Sequence, residues 1–216
     1  MRARIKFCGM TRHADATFAS EIGASYIGAV FAPGPRQVTV ESARKIFDSM
    51  GGALRVGVFG TNDVREIARV ADAVELDVVQ LHADPTPDDV HSVRSGFGGD
   101  VWAALRIEST AVPDSLEELV DAADGVVLDA KSSGRLGGTG KTLPWHELAP
   151  DVTRARTGSL IILAGGLTPQ NVGTALRDLA PDVVDVSSGV EDAPGIKNHQ
   201  LMRDFADAVA GLERFA

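Results

Sequence analysis

The feature that most limits how this chain can fold is a repeated change of hydrophobic period. Short apolar runs rich in β-branched residues alternate, end to end, with longer stretches patterned for helices. The runs Val126-Val127-Leu128 and Leu160-Ile161-Ile162-Leu163 have no polar face. Strands like these need cover on both sides, which is the situation in a parallel sheet. Eight strands are expected: Ile5–Phe7, Tyr26–Phe31, Leu54–Phe59, Val78–Leu81, Val101–Ile107, Gly125–Asp129, Leu160–Ala164 and Val183–Val186. Helices are expected over Asp15–Ile22, Val40–Met50, Asp63–Ala71, Asp88–Ser95, Ser115–Ala122, Pro169–Leu179 and Gln200–Leu212. Thr39 and Asn62 stand where caps belong, and Thr168-Pro169 reads as a cap followed by proline at the first helical position.

Eight strands, each followed by a helix-like segment, fit a closed (β/α)8 barrel better than an open doubly wound sheet. A chain of 216 residues is the usual length for such a barrel as one α/β domain, here residues 1–216. In this fold the functional groups gather at the carboxyl ends of the strands. The residues that end each apolar run are therefore the ones to inspect.

The formal net charge of −9 repels polyanions on average, and no Lys/Arg run offsets it, so nucleic acid is not an expected partner. A small anionic substrate stays possible if basic groups or backbone amides are concentrated locally. The single cysteine excludes an internal disulfide and a multi-cysteine metal site. No apolar run reaches the roughly 20 residues of a membrane helix, and Met1–Gly9 lacks the apolar stretch of a secretory signal. A cytoplasmic protein without membrane contact is expected. Monomer and homodimer are both compatible with the sequence.

The first run ends in Lys6-Phe-Cys8-Gly9. A thiol there is a base or nucleophile if it faces the barrel mouth, and otherwise a small core residue. Lys6 and helix N-termini are expected to draw its pKa down. The second run leads to Pro33-Gly-Pro35-Arg36. That guanidinium, in a loop stiffened by two prolines, is either a carboxylate clamp or a solvated surface arginine. Gln80 and His82 alternate to one side of the fourth strand, as site residues or as a satisfied hydrogen-bonded layer. Asp129 closes the sixth run. It is either a buried acid, costly unless paired or used, or a cap at the start of a loop.

Gly137-Gly138-Thr-Gly-Lys141-Thr142 has the flavour of a phosphate loop. It fails the nucleotide-binding spacing, because Arg135 stands where the first glycine is required. With its neighbours in Lys131–Pro144 it is expected to be a mobile lid. The last two runs end in Ala164-Gly165-Gly166-Leu167 and Ser187-Ser188-Gly189. Small residues let backbone amides approach an anion without adding positive charge, and phosphate sites recur at these two loops of such barrels.

Together these residues resemble the phosphoribosylanthranilate isomerase family. The matching motifs are Lys6-Phe-Cys-Gly-Met-Thr11, Val30-Phe31 with Pro35-Arg36, Val56-Gly-Val-Phe59, Val79-Gln-Leu-His82, Leu128-Asp129, Gly137-Gly-Thr-Gly-Lys141, Ala164-Gly-Gly-Leu-Thr-Pro169 with Asn171, and Asp185-Val-Ser-Ser-Gly-Val-Glu191. They run through the whole chain in the family's order. The resemblance implies an Amadori rearrangement of N-(5-phosphoribosyl)anthranilate in tryptophan biosynthesis. It implies Cys8 as general base, Asp129 as general acid, and Arg36 on the substrate carboxylate. Gln80, His82, Gly138, Gly165, Gly166, Ser188 and Gly189 are the further expected substrate contacts. Neither cofactor nor metal is required, because the reaction has no redox step. The chain departs from the family at Gly34, Ala83, Leu143-Pro144 and Asn198. Two rivals remain at this point: a related isomerase acting on a histidine-pathway aminoaldose, and a barrel that binds phospho-ligands without turnover. The first usually has an aspartate where this chain has Cys8. The second has no need of Cys8, Asp129 and Arg36 together.

Overall fold

A computed structural model of the chain describes residues 3–48, 50–108, 111–130 and 142–211. The strands are β1 (Arg4–Phe7), β2 (Tyr26–Val30), β3 (Leu54–Phe59), β4 (Val78–Leu81), β5 (Asp100–Ile107), β6 (Gly125–Ala130), β7 (Leu160–Leu163) and β8 (Val183–Val186). All pair in parallel in chain order, and β8 closes on β1 through Ile5–Val184 and Lys6–Asp185. The helices are α1 (His13–Glu21), α2 (Val40–Phe47), α3 (Val64–Val74), α4 (Pro87–Arg94), α5 (Ser115–Ala122), α6 (Trp145–Ala155), α7 (Val172–Leu179) and α8 (His199–Gly211). A two-stranded hairpin, β9 (Glu191–Ala193) and β10 (Ile196–Lys197), lies between β8 and α8.

The period change becomes two apolar layers. One face of each strand packs against the amphipathic face of the helices, with Phe7, Ile27, Phe59, Leu81, Leu128 and Phe205 fully buried there. The other face fills the lumen with Tyr26, Val56, Val78, Trp102, Val127, Ile162 and Val183. Burying one such side chain is worth roughly 1.5–3 kcal/mol. The lumen is packed large against small. Trp102 meets Tyr26 edge-on at 4.8 Å. A Cβ at Gly125 would lie only 2.9 Å from the Trp102 ring.

Local chemistry sets the helix starts. Thr39 accepts from the Ser42 N–H as expected. At α3 the cap is Asp63, not Asn62: Asp63 accepts from the N–H groups of Arg65 and Glu66. Asn62 instead reaches Ala83 and Asp89. Thr86 and Asp89 form a reciprocal capping box with Pro87 in the first turn. The expected start of α7 at Pro169 is corrected to Val172. Asn171 Oδ1 accepts from the Thr168 N–H and folds residues 168–171 into a turn before the helix. Helix α6 was not expected, since Pro144 and Pro150 break its pattern; Pro150 lies inside it. At the family departure Asn198, the side chain accepts from Gln200 and Leu201 and so caps α8 as an aspartate would. Among the described residues no helix is long and apolar enough to cross a membrane.

Candidate active site

The carboxyl ends of the strands open on one cleft. Cys8, Arg36, Gln80, His82, Asp129, Gly165, Gly166, Ser188 and Gly189 all line it, as do Asp185 and Ser187. The parallel barrel brings together nine of the ten expected site residues. The tenth, Gly138, lies with the expected lid outside the described residues.

Cys8 follows β1, its N–H bonded to the Val186 carbonyl. Its side chain has the same parity as Lys6 and points into the mouth. Gly28 on β2 makes the space: a Cβ there would stand 3.0 Å from the Cys8 sulfur. The expectation of a thiol drawn down by cations is corrected. Burial pushes the Cys8 thiol above its ordinary value, and Lys6 and Lys197 oppose that only in part. Lys6 is fully buried, 2.6 Å from Asp185 Oδ2. Burial pulls its pKa down, but Asp185 and Cys8 hold the ammonium above its usual range. The second oxygen of Asp185, Oδ1, is buried without a hydrogen bond among the described residues.

A polar chain crosses the lumen from this ion pair. Lys6 donates to Gln80 Oε1 at 2.9 Å. Gln80 Nε2 lies 3.2 Å from His82 Nδ1. His82 Nε2 lies 3.4 Å from Asp129 Oδ2. The two open readings of Gln80 and His82 therefore merge, since they form a bonded layer that also walls the cleft. Asp129 lies within β6, not in a loop-start cap. Beside it Gly165 has φ +86°, and a Cβ there would lie 2.8 Å from Asp129 Oδ1.

Arg36 is not a solvated surface arginine. Its Nε and Nη2 fork onto Glu191 at 2.9 and 2.6 Å. Lys197 Nζ, also buried, donates to Glu191 Oε1 at 2.8 Å and to the Ser187 carbonyl at 3.0 Å. Burial opposes ionisation of Glu191, but Arg36 and Lys197 hold its carboxyl below the usual range. Burial lowers Lys197 despite Glu191. The motif from Asp185 to Glu191 by itself gives neither acid a role, and no local pattern singles out Lys197. Parity along β8 was the available signal, because Asp185 and Ser187 must share the lumen face.

The loops after β7 and β8 meet backbone to backbone. Gly166 has φ +65°, which favours glycine. A Cβ at Gly189 would collide with the Leu167 carbonyl oxygen. Residues Ser188–Val190 form a 3-10 turn. Among the described residues no group of three His, Cys, Asp or Glu side chains is placed to hold a metal ion.

A thiol after β1 and a carboxyl on β6, opening on one cleft at the carboxyl end of a (β/α)8 barrel, belong to an enzyme that moves protons on a small substrate. The family model for N-(5'-phosphoribosyl)anthranilate isomerase matches residues 5–208. The Rubrobacter xylanophilus N-(5'-phosphoribosyl)anthranilate isomerase is 44% identical over 208 residues, covering 95% of this chain and 98% of that protein. The crystal structure of phosphoribosyl anthranilate isomerase from Thermus thermophilus superposes with a TM-score of 0.84 at 34% identity, covering 97% of this chain and 99% of that one. A phosphoribosyl anthranilate isomerase in complex with reduced 1-(o-carboxyphenylamino)-1-deoxyribulose 5-phosphate superposes with a TM-score of 0.81 at 31% identity, covering 97% and 99%. The chain belongs to the N-(5'-phosphoribosyl)anthranilate isomerase family.

Proposed function

We propose that the chain converts N-(5'-phosphoribosyl)anthranilate to 1-(2-carboxyphenylamino)-1-deoxyribulose 5-phosphate, with Asp129 as acid and Cys8 as base. The observation that carries this reading is that both groups line one cleft in a chain of this family. Asp129 gives its proton to the furanose ring oxygen. The C1–O bond breaks toward that oxygen, and the nitrogen lone pair forms the C1=N bond. The cationic imine acidifies the C2–H bond. The Cys8 thiolate takes the C2 proton, and the electrons of that bond form the C1=C2 enolamine. Protonation at C1 and loss of the C2 hydroxyl proton give the ketose. No oxidant enters the balance.

Arg36, held by Glu191, faces the substrate carboxylate. The backbone of Gly165, Gly166, Ser188 and Gly189 faces the phosphate, which suits a chain of net charge −9. The described lining residues all come from one chain, so turnover is expected of monomer and homodimer alike. A cytoplasmic enzyme serving tryptophan biosynthesis fits the reading.

The test is turnover of phosphoribosylanthranilate by the purified protein, with C8S and D129N alongside. Each variant should lose about 10²–10⁴-fold in rate, the usual worth of a general acid or base. In deuterated solvent, a ring-opened imine analogue should exchange its C2 proton with D129N and not with C8S. Exchange catalysed by C8S would overturn the assignment of the base. Conversion of a histidine-pathway aminoaldose in place of the anthranilate compound would favour the rival isomerase.

A further inference from the structure

The polar chain from Lys6 to Asp129 has a direction that its chemistry settles. An ammonium has donors only, so the Gln80 atom 2.9 Å from Lys6 Nζ must be the amide oxygen. The amide nitrogen then faces His82, where it lies 3.2 Å from Nδ1. An amide NH2 only donates, so Nδ1 must accept and carries no proton. Neutral imidazole then bears its one hydrogen on Nε2. That nitrogen lies 3.4 Å from Asp129 Oδ2, longer than a good hydrogen bond, as acid–base contacts often are before substrate arrives. The other carboxyl oxygen, Oδ1, lies beside Gly165, where the missing side chain leaves it room.

We propose that Gln80 is a positioning residue. Gripped by Lys6, its amide holds His82 as the neutral Nε2–H form aimed at Asp129 Oδ2, so that Oδ1 carries the proton given to the substrate. This rests on Asp129 being the acid. The logic is one of charge. An imidazolium beside Asp129 would favour the carboxylate and strip the acid of its proton. Protonating Nδ1 would set an N–H against the Gln80 N–H groups, and Gln80 cannot turn over without setting its NH2 against Lys6. The buried Lys6–Asp185 pair thereby sets, through Gln80, which ring nitrogen of His82 bears the hydrogen. Among the described residues the charged groups around His82 are Asp129 on β6, Lys6 on β1 behind Gln80, and Asp185 on β8. Arg106, on the intervening β5, is tied to Asp84.

The test reads the tautomer directly, in the substrate-free protein. With 15N-labelled histidine, His82 is assigned by comparison with H82N. The expected signature at pH 7.5 is a bare Nδ1 and a protonated Nε2. Q80E keeps the size and the contact to Lys6 but places an acceptor at Nδ1. There the ring should protonate at Nδ1, and kcat should fall about tenfold or more, with KM within about threefold. Q80M, which has neither donor nor acceptor, should give mixed tautomers and a smaller loss. An Nδ1–H or an imidazolium in the wild type at pH 7 would overturn the proposal. So would a Q80E variant with altered protonation and unchanged kcat. Absence of wild-type turnover would instead remove the functional reading, and the tautomer measurement tells the two failures apart.

Discussion

Glu191 accepts from both Arg36 and Lys197, with Arg36 Nη2 2.6 Å from Oε2 and Lys197 Nζ 2.8 Å from Oε1. The carboxylate is nearly buried, and the arginine is more exposed toward the cleft. Glu191 thus fixes the guanidinium where it lines the cleft, the position proposed for the substrate carboxylate. E191Q keeps the shape and removes the charge. It should raise KM about tenfold, near 1.4 kcal/mol, the scale of one charge-assisted hydrogen bond. An analogue lacking the substrate carboxylate should respond equally to wild type and E191Q. Equal damage to both compounds would place Arg36 and Glu191 outside carboxylate binding.

Glu191 also couples stability to acid. Its carboxyl is held below the ordinary range, so its stabilisation is present above the unfolded value of about 4.3. It is lost as pH falls through the folded value. Wild-type stability should therefore drop more steeply than that of E191Q below about pH 4.5. Denaturant unfolding at pH 7 and pH 3.5 measures this; parallel losses in the two proteins would contradict it.

Gly165 carries two burdens, a φ of +86° and the 2.8 Å approach to Asp129 Oδ1. G165A should cost about 1–3 kcal/mol in stability from backbone strain alone. Its kcat should fall about tenfold or more as the added methyl displaces Asp129, the proposed acid. If the folded variant keeps wild-type kcat, Oδ1 is not the donating atom.

Gly28 plays the matching part for Cys8, the proposed base. A methyl there would sit 3.0 Å from the Cys8 sulfur and 3.4 Å from Lys6 Cε. G28A should move the thiol and lower kcat about tenfold, at a stability cost of about 1–3 kcal/mol for overpacking. Near-normal kcat in G28A would mean that the sulfur tolerates displacement.

Since Cys8 is the only cysteine, its ionisation can be followed by alkylation. Thiolate reacts and thiol does not, so the rate rises with pH through the pKa. Burial places that midpoint above the ordinary thiol value of about 8.5. K6M removes a charge that lowers it, so its midpoint should be higher still. K6M should also lose about 3–5 kcal/mol of stability by leaving Asp185 unpaired. A wild-type midpoint below 8 would show that the lysines outweigh burial.

Much of this was legible in the order of residues. Period and β-branching mark all eight strands, because a strand buried on both faces must be apolar throughout. Strand ends name Cys8, Gln80, His82 and Asp129, because a parallel barrel presents every carboxyl end on one side. Helix α6 was hidden by Pro144 and Pro150, whose breaking tendency is overridden when Leu148 and Val152 bury against the barrel. What only the tertiary structure decided are the pairings. Lys6 meets Asp185 across 179 positions and Arg36 meets Glu191 across 155. Barrel closure makes those contacts, and no local pattern encodes them. The same closure determines how far each group is removed from water. That is why Cys8, with Lys6 and Lys197 near it in space, still has its thiol held up by burial.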